Sequence, residues 1–276
     1  MQPWNEHPHE RARIAVLGLP SDENSSFLRG AAQAPPLIRQ AFYSHSANLY
    51  AENGLNLGEP GLLADAGDLT PGPDGSIYPL ITQAADRILA AGSAPLCLGG
   101  DHAVTYPIVK AVAAHYPGLT ILHFDAHPDL YADFEGNPRS HASPFARIME
   151  DGLAKRLVQV GIRTANAHQR QQAARYHVEM IEMKDWHPDA LPPLQGPVYL
   201  SFDMDCLDPA FAPGVSHLEP GGFSTRQALA IIQQVKAPVV AADLVEFNPT
   251  AEARLTAMTA AKIFKEMAAL MLRSQQ

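Results

Sequence analysis

Residues 120–129 read TILHFDAHPD, and this segment predicts both a buried strand and a metal site at its end. The first five residues form a short, mostly apolar run, typical of a parallel strand buried on both faces. Asp125, His127 and Asp129 then alternate, so an extended backbone would point all three side chains the same way. Imidazole nitrogens and carboxylate oxygens suit manganese, zinc or iron. A solvated acidic loop is the simpler interpretation, but it does not explain three potential ligands on one side directly after a buried strand.

Seven further apolar runs predict strands on either side of this one. The eight predicted strands are residues 14–18, 62–64, 95–98, 120–124, 157–160, 178–181, 198–202 and 239–242. The helix-like stretches between and after them are residues 36–44, 77–91, 106–114, 144–153, 167–176, 228–235 and 255–272. This alternation predicts an α/β fold with three α/β/α layers around a mostly parallel eight-stranded sheet. Because the series is unbroken, we expect a single domain over residues 1–276.

Two other predicted strands end in similar groups. Gly99-Gly100-Asp101-His102 follows strand 95–98, although a single histidine after a glycine turn is most often structural. Asp203 and Asp205 follow strand 198–202 and alternate, which is also compatible with a simple strand-end turn. Their apolar neighbours indicate burial, and two buried carboxylates close together cannot both stay ionised without cations. Ligands of open α/β sheets collect beyond the carboxyl ends of the strands, where all three groups fall.

The candidate ligands in the three groups are two histidines and four aspartates: His102, Asp125, His127, Asp129, Asp203 and Asp205. A single catalytic zinc usually takes three protein ligands, so this set contains too many anionic ligands for it. It suits two divalent cations about 3.5–4 Å apart, bridged by carboxylates and a hydroxide.

In order and spacing, the three groups resemble the signature segments of the ureohydrolase family, which includes arginase, agmatinase, guanidinobutyrase and formimidoylglutamase. The resemblance covers nearly the whole chain, from Ala34-Pro35-Pro36 with Ile38-Arg39 to Glu246-Phe247-Asn248-Pro249. Within the family, four segments resemble plant-type arginases most: residues 24–28, 134–149, 212–222 and 245–249. The family implies an arginase- and deacetylase-like fold and a homo-oligomer, either a trimer or a hexamer.

The resemblance implies a site for two Mn²⁺ per subunit. His102, Asp125, Asp129 and Asp203 would hold one ion. His127, Asp125, Asp203 and Asp205 would hold the other, so that Asp125 and Asp203 bridge the pair.

The same resemblance assigns the chemistry to three residues. Asp129 would accept a hydrogen bond from the attacking hydroxide, and Glu246 would pair with the substrate guanidinium. His141, in Ser140-His141-Ala142-Ser143, matches the family's proton-shuttling histidine. Taken without the family, Glu246 could be an ordinary strand-end residue and His141 a histidine at the entry of a helix.

The predicted substrate is a small guanidino compound, and L-arginine is favoured over agmatine. Asn137 and Ser140 lie where arginases bind the amino-acid end, and Asn166 is in a position to reach the α-amine. Human-type arginases have an aspartate at the position of Asn166, so this contact resembles the plant type.

Three other classes of protein are compatible with parts of the pattern. A single-metal zinc deacetylase of the same general fold would need fewer carboxylates. An iron oxygenase using His127 and Asp129 would leave the other aspartates unexplained. A degenerate metal-binding regulatory subunit would be expected to have lost ligands, and all six are present.

Composition limits the remaining partners and the location. The net charge of −9 argues against nucleic acid or an anionic membrane surface, and no stretch is apolar enough to span a bilayer. Cys97 and Cys206 lie in apolar stretches and predict buried free thiols, which fit a reducing compartment. Residues 1–13 are polar and do not read as a signal peptide. We therefore expect a cytoplasmic protein.

Overall fold

One parallel sheet organises the fold. The computed structural model describes residues 1–3, 12–73 and 75–273, so most of the polar N-terminal segment used in the signal-peptide argument lies outside the described residues. Within them, nine strands pair in the order β1-β3-β2-β4-β9-β8-β5-β6-β7. Their bounds are β1 Gln2–Pro3, β2 Ile14–Gly18, β3 Leu63–Asp68, β4 Ala94–Leu98, β5 Thr120–Phe124, β6 Arg156–Ile162, β7 Glu179–Glu182, β8 Val198–Asp203 and β9 Val239–Val245. The eight predicted strands are confirmed as β2 to β9, and β1 adds a short parallel pairing to β3 at one edge.

Helices cover both faces of the sheet, as predicted. They are α1 Ala34–Phe42, α2 Tyr78–Ala90, α3 Thr105–His115, α4 Pro144–Glu150, α5 Ala167–Arg175, α6 Thr225–Gln234 and α7 Arg254–Arg273. Helices α1, α6 and α7 bury their apolar residues in one cluster with one face of the strands. Helices α2, α3 and α4 do the same on the other face. Alternate residues of each strand therefore enter opposite cores, which gives three layers. No helix among the described residues is long and apolar enough to cross a membrane.

Strands β3 and β9 extend furthest beyond their predicted ends, and polar residues in both extensions have ion-pair or hydrogen-bond partners. Strand β3 continues past its apolar part to Asp68, where the Arg39 guanidinium contacts the carboxylates of Asp65 at 2.9 Å and Asp68 at 2.5 Å. Strand β9 continues through Asp243, which is fully buried and hydrogen-bonded. Apolar runs alone end a predicted strand too early where polar residues of the strand are satisfied by a salt bridge, as in β3, or by buried hydrogen bonds, as in β9.

The four strands β4, β9, β8 and β5 are neighbours at the middle of the sheet. All four are parallel, so their carboxyl ends meet at one edge. The residues that follow these ends are His102 after β4, Glu246 after β9, Asp205 after β8 and Asp125 after β5. The strand order thus brings groups that are far apart in sequence to the same edge of the sheet.

Candidate metal centre

The six predicted metal ligands converge at this edge of the sheet. The Nδ1 atom of His102 lies 3.2 Å from Asp125 Oδ2, 3.1 Å from Asp129 Oδ2 and 3.0 Å from Asp203 Oδ2. On the other side of Asp125, the Nδ1 atom of His127 lies 3.4 Å from Asp125 Oδ1 and 3.0 Å from Asp205 Oδ2. His102 is buried completely, and His127 is partly open. Asp125 is shared between the two histidines.

The chemistry of this donor set fits divalent cations. His102 Nδ1 is buried and makes no hydrogen bond, although three carboxylate oxygens face it. Asp125, His127 and Asp205 can place ligand atoms within 4.8 Å of one another. Burial and the charges of Asp205 and Asp125 raise the pKa of Asp203 well above its ordinary value. Cations between these groups would favour the ionised carboxylates and supply the missing positive charge.

The backbone is held in an unusual conformation at two of these positions. Asp129 has φ 50° and Glu246 has φ 63°, both in the left-handed region. Such a conformation costs a residue other than glycine about 1–3 kcal/mol and occurs mainly at functional sites. For Glu246 the bend is secured by a hydrogen bond from its own N–H to Gly100 O at 2.8 Å.

A third histidine, His123, also contacts Asp125. His123 Nε2 lies 2.8 Å from Asp125 Oδ2, and His123 Nδ1 lies 2.9 Å from Gln159 Nε2. The same Gln159 nitrogen donates to Pro128 O at 2.6 Å, which fixes the amide orientation because a carbonyl oxygen can only accept. His123 Nδ1 therefore accepts, and His123 Nε2–H donates to Asp125. The sequence placed His123 inside an apolar strand and gave no sign of this role.

His141 and Glu246 form a buried pair next to the metal ligands. His141 Nδ1 lies 2.9 Å from Glu246 Oε1, which also accepts the backbone N–H of His102 at 2.8 Å. Burial is the largest single effect on the pKa of His141 and would lower it, but the charge and hydrogen bond of Glu246, together with the charges of Asp129 and Asp101, raise the pKa to about 9. The other ring nitrogen, Nε2, lies 2.7 Å from the Ser26 hydroxyl and 3.1 Å from the Ser26 amide. His141 can therefore hold or release a proton at Nε2 while Nδ1 stays on Glu246.

A cavity of about 230 Å³ opens onto these groups. Its lining includes the predicted residues His127, Asp129, His141, Asp203, Asp205 and Glu246. It also includes Ser26, Tyr131, Phe134, Ala142, Thr164, Gln169, His217 and Glu219, which the strand-end pattern did not indicate. The ring of His217 lies 5.4 Å from that of His141 and 5.6 Å from that of His127. His217 belongs to a proline-bounded loop, so no strand end pointed to it.

The three residues predicted to bind the amino-acid end lie around the cavity but do not line it. Asn137 Nδ2 donates to Asn24 Oδ1 at 3.2 Å, and buried Ser140 accepts the N–H of Ala142 at 3.3 Å. Asn166 is exposed, caps α5 and donates to the Tyr131 hydroxyl at 2.7 Å. Their role in binding substrate stays a prediction, and Asn24 and Tyr131 are the groups through which it would act.

Gly100 allows the turn that carries His102, because its backbone packs directly on Ser21. A Cβ at Gly100 would lie 1.7 Å from Ser21 O, and Asp101 N donates to the same oxygen at 2.8 Å. We expect Gly100→Ala to lower the free energy of unfolding by about 1–3 kcal/mol and to weaken metal binding. Calorimetry and metal titration would measure the two effects.

Gly54→Ala is the matched control for this substitution. Gly54 has φ 85°, and open space surrounds the position of its Cβ. Its replacement should destabilise the fold through backbone strain and leave metal affinity unchanged. Equal metal affinity in the Gly100→Ala protein and the unchanged protein would contradict the proposed role of the turn.

Comparison with known proteins gives a consistent result. The arginase family matches residues 12–269. The chain is 46% identical to "Arginase 1, mitochondrial" of Arabidopsis thaliana, over 94% of this chain and 81% of the relative. It is 34% identical to an agmatinase of Bacillus subtilis, over 94% of this chain and 91% of that protein. The solved structure of an arginase from Medicago truncatula is 43% identical and superposes with a TM-score of 0.89, covering 94% of this chain and 87% of that one.

These relatives contradict the prediction of a cytoplasmic location. The plant arginases are named mitochondrial or chloroplastic/mitochondrial. The prediction relied on the polar residues 1–13 and on two thiols, and Cys97 and Cys206 are indeed free and buried. Free thiols indicate a reducing compartment, and the cytoplasm is not the only compartment of that kind.

Fold, ligand geometry and sequence identity over most of the chain agree. The recognition of a ureohydrolase from three strand-end groups is confirmed, as is the similarity to plant arginases. The chain belongs to the arginase family of ureohydrolases.

Proposed function

We propose that the protein hydrolyses L-arginine to L-ornithine and urea with two Mn²⁺ bound per subunit. The observation that carries the proposal is the convergence of six ligands around Asp125 beside the His141–Glu246 pair. A donor set of four carboxylates and two imidazoles suits a pair of hard to intermediate cations such as manganese. The 46% sequence identity to a plant arginase over most of the chain supports the same conclusion.

The proposed ligands fall into two overlapping sets. His102 and Asp129 would hold one cation, and His127 and Asp205 the other, with Asp125 and Asp203 bridging them. When bound, the cation pair makes a hydroxide nucleophile available near neutral pH. Asp129, in its strained conformation, would also accept a hydrogen bond from that nucleophile and orient it.

Glu246 would bind the cationic end of the substrate. Its carboxylate is buried and lines the cavity, so a guanidinium entering the cavity finds a charge-assisted partner there. Glu246 is held by the His102 N–H and by His141, which limits its freedom before substrate arrives. Such positioning lowers the barrier because the reacting groups need no further ordering.

His141 would move the proton. Against the effect of burial, Glu246 and the nearby carboxylates of Asp129 and Asp101 raise the pKa of His141 to about 9, so the imidazolium is available at neutral pH. Collapse of the tetrahedral intermediate breaks the C–N bond, and His141 donates a proton to the leaving amine. The Ser26 hydroxyl, 2.7 Å from Nε2, can then restore a proton to His141 by donating its own as it accepts another from solvent.

Agmatine is the second candidate substrate, and one observation favours it. Among the described residues that line the cavity there is no lysine or arginine, whereas Glu219 adds a further carboxylate. An arginine carboxylate would therefore have to be bound by neutral donors such as Asn137. Agmatine lacks that carboxylate.

The proposal is tested by urea release from Mn²⁺-loaded protein offered arginine, agmatine, guanidinobutyrate or formimidoylglutamate at equal concentrations. We expect the largest kcat/KM with arginine. A larger kcat/KM with agmatine would show that agmatine is the preferred substrate, and the proposed mechanism would stand. No urea or formamide from any of the four, with metal bound, would contradict the proposed hydrolysis.

Removal of metal should destabilise the protein. The ligand carboxylates are buried close together, so bound cations favour the folded state. Free Mn²⁺ at 100 times its dissociation constant raises the free energy of unfolding by about 2.7 kcal/mol. Loss of this contribution should lower Tm by roughly 5–10 °C. Scanning calorimetry before and after chelation measures the change, and added Mn²⁺ should reverse it. An unchanged Tm would contradict a metal centre in the core of the fold.

Two further properties are proposed from the family. The match over residues 12–269 supports a single ureohydrolase domain over the whole chain. A trimer or hexamer is expected by resemblance to the family. Size-exclusion chromatography with light scattering distinguishes these assemblies from a monomer.

A further inference from the structure

Asp243 is a buried acid that the proposed chemistry does not use. It lies within strand β9, between the apolar residues Ala242 and Leu244, and its exposed fraction is 0%. An acid in such a place must have strong partners, since burying an unpaired charge is costly. Asp243 therefore has either a structural or a functional reason to be there.

Three hydroxyl groups surround the Asp243 carboxylate. Its Oδ2 accepts from the hydroxyls of Tyr199 at 2.5 Å and Thr105 at 2.7 Å. Its Oδ1 accepts from the Ser201 hydroxyl at 2.6 Å. A carboxylate can only accept hydrogen bonds, and a serine has one hydroxyl proton. The proton of Ser201 is thus committed to Asp243.

The orientation of the Ser201 hydroxyl determines which ring nitrogen of His102 carries the proton. Ser201 Oγ lies 2.9 Å from His102 Nε2. Because the Ser201 proton points to Asp243, the serine oxygen can only accept from the histidine, so the Nε2 atom carries the proton. The other ring nitrogen, Nδ1, then keeps its lone pair. His102 Nδ1 is buried, makes no hydrogen bond and faces three carboxylates.

We propose that Asp243 is a positioning residue that acts through Ser201 to hold His102 in the tautomer with a bare Nδ1, ready to bind a cation. The inference rests on the metal centre of the proposed function. The opposite tautomer would place an N–H at Nδ1 and exclude a cation from that side of the centre. Partners behind a ligating histidine commonly fix its tautomer and orientation in this way.

Asp243→Asn tests the proposal with a nearly isosteric change. The amide oxygen can still accept from Tyr199 and Thr105, but the amide N–H₂ now donates to Ser201. Ser201 then turns its proton toward His102 Nε2 and favours the wrong tautomer. We expect one of two bound Mn²⁺ to be held roughly 10- to 100-fold more weakly and the other to be unaffected. Electron paramagnetic resonance of free Mn²⁺ during titration resolves the two affinities.

Two companion variants separate positioning from structural support. Tyr199→Phe removes one donor to Asp243 and leaves Ser201 in place, so both Mn²⁺ affinities should stay within about twofold. Ser201→Ala breaks the connection to His102 and should weaken one Mn²⁺. In the Ser201→Ala background, Asp243→Asn should then add little, which is the coupling that a double-mutant cycle measures. The Tm of the metal-free Asp243→Asn protein should be nearly unchanged.

The outcomes are distinct. Equal Mn²⁺ affinity in the Asp243→Asn and unchanged proteins would overturn the proposal, as would additive effects of Asp243→Asn and Ser201→Ala. Unchanged protein that binds no Mn²⁺ would overturn the metal centre and the role of Asp243 together. Unchanged protein that binds two Mn²⁺ but releases no urea would overturn the proposed substrate alone, and the role of Asp243 would still be supported by the titrations.

Discussion

Asp125→Asn protein is expected to lose both tightly bound Mn²⁺ ions and to hydrolyse substrate with a kcat/KM lower by about a thousandfold or more. Asp125 contacts His102 and His127 from opposite oxygens, so it faces both halves of the centre. Removing one partner from a buried charged contact costs about 3–5 kcal/mol, and about 1.4 kcal/mol corresponds to a factor of ten in rate. Metal analysis after dialysis and steady-state urea release measure the two losses.

Asp86→Asn is the matched control for that substitution. Asp86 pairs with His115 at 2.8 Å on the surface, with 56% of its side chain exposed. Exposed ion pairs contribute little, so its metal content and kcat/KM should match the unchanged protein. Full Mn²⁺ occupancy in the Asp125→Asn protein would show that Asp125 does not bridge.

Glu246→Gln protein should keep its metal and lose most of its activity. The carboxylate is not among the proposed ligands, but it would pair with the guanidinium of the substrate. Loss of one partner of such a buried pair costs about 2–5 kcal/mol, so kcat/KM should fall roughly a hundredfold or more. The charge of Glu246 also raises the pKa of His141, so the basic limb of the kcat profile against pH should move to lower pH.

Glu179→Gln serves as the control for this second change. Glu179 pairs with Arg156 at 2.6 Å near the surface at the β6–β7 edge of the sheet. Its replacement should leave the rate and the pH profile unaltered. A Glu246→Gln protein with wild-type kcat/KM and full metal content would show that another group binds the guanidinium.

The part of the fold and site that the sequence predicted depends on short-range patterns. Apolar runs of three to five residues marked the eight main strands. Ser224 followed three residues later by Gln227 is a capping-box pattern, and the structure has the reciprocal capping contacts there at the start of α6. The alternation of Asp125, His127 and Asp129 identified three ligands on one side of the chain only because a strand end precedes them. Local backbone geometry was enough for these features.

The part that could not be predicted depends on strand order and loops. Ser201 and Asp243 are far apart in sequence and meet only because β8 and β9 are neighbours in register. His217 and Ser26 reach the cavity from loops that carry no periodic pattern. The substrate preference falls in this second group, since it depends on which loop residues face the far end of the cavity.

The most direct test of the central claim is an anomalous-scattering map of Mn²⁺-soaked crystals, recorded at the manganese absorption edge. The account predicts two peaks per subunit, about 3.5–4 Å apart, both within ligand distance of Asp125, with His102 Nδ1 on one ion and His127 Nδ1 on the other. A single peak, or manganese bound away from these two histidines, would contradict it.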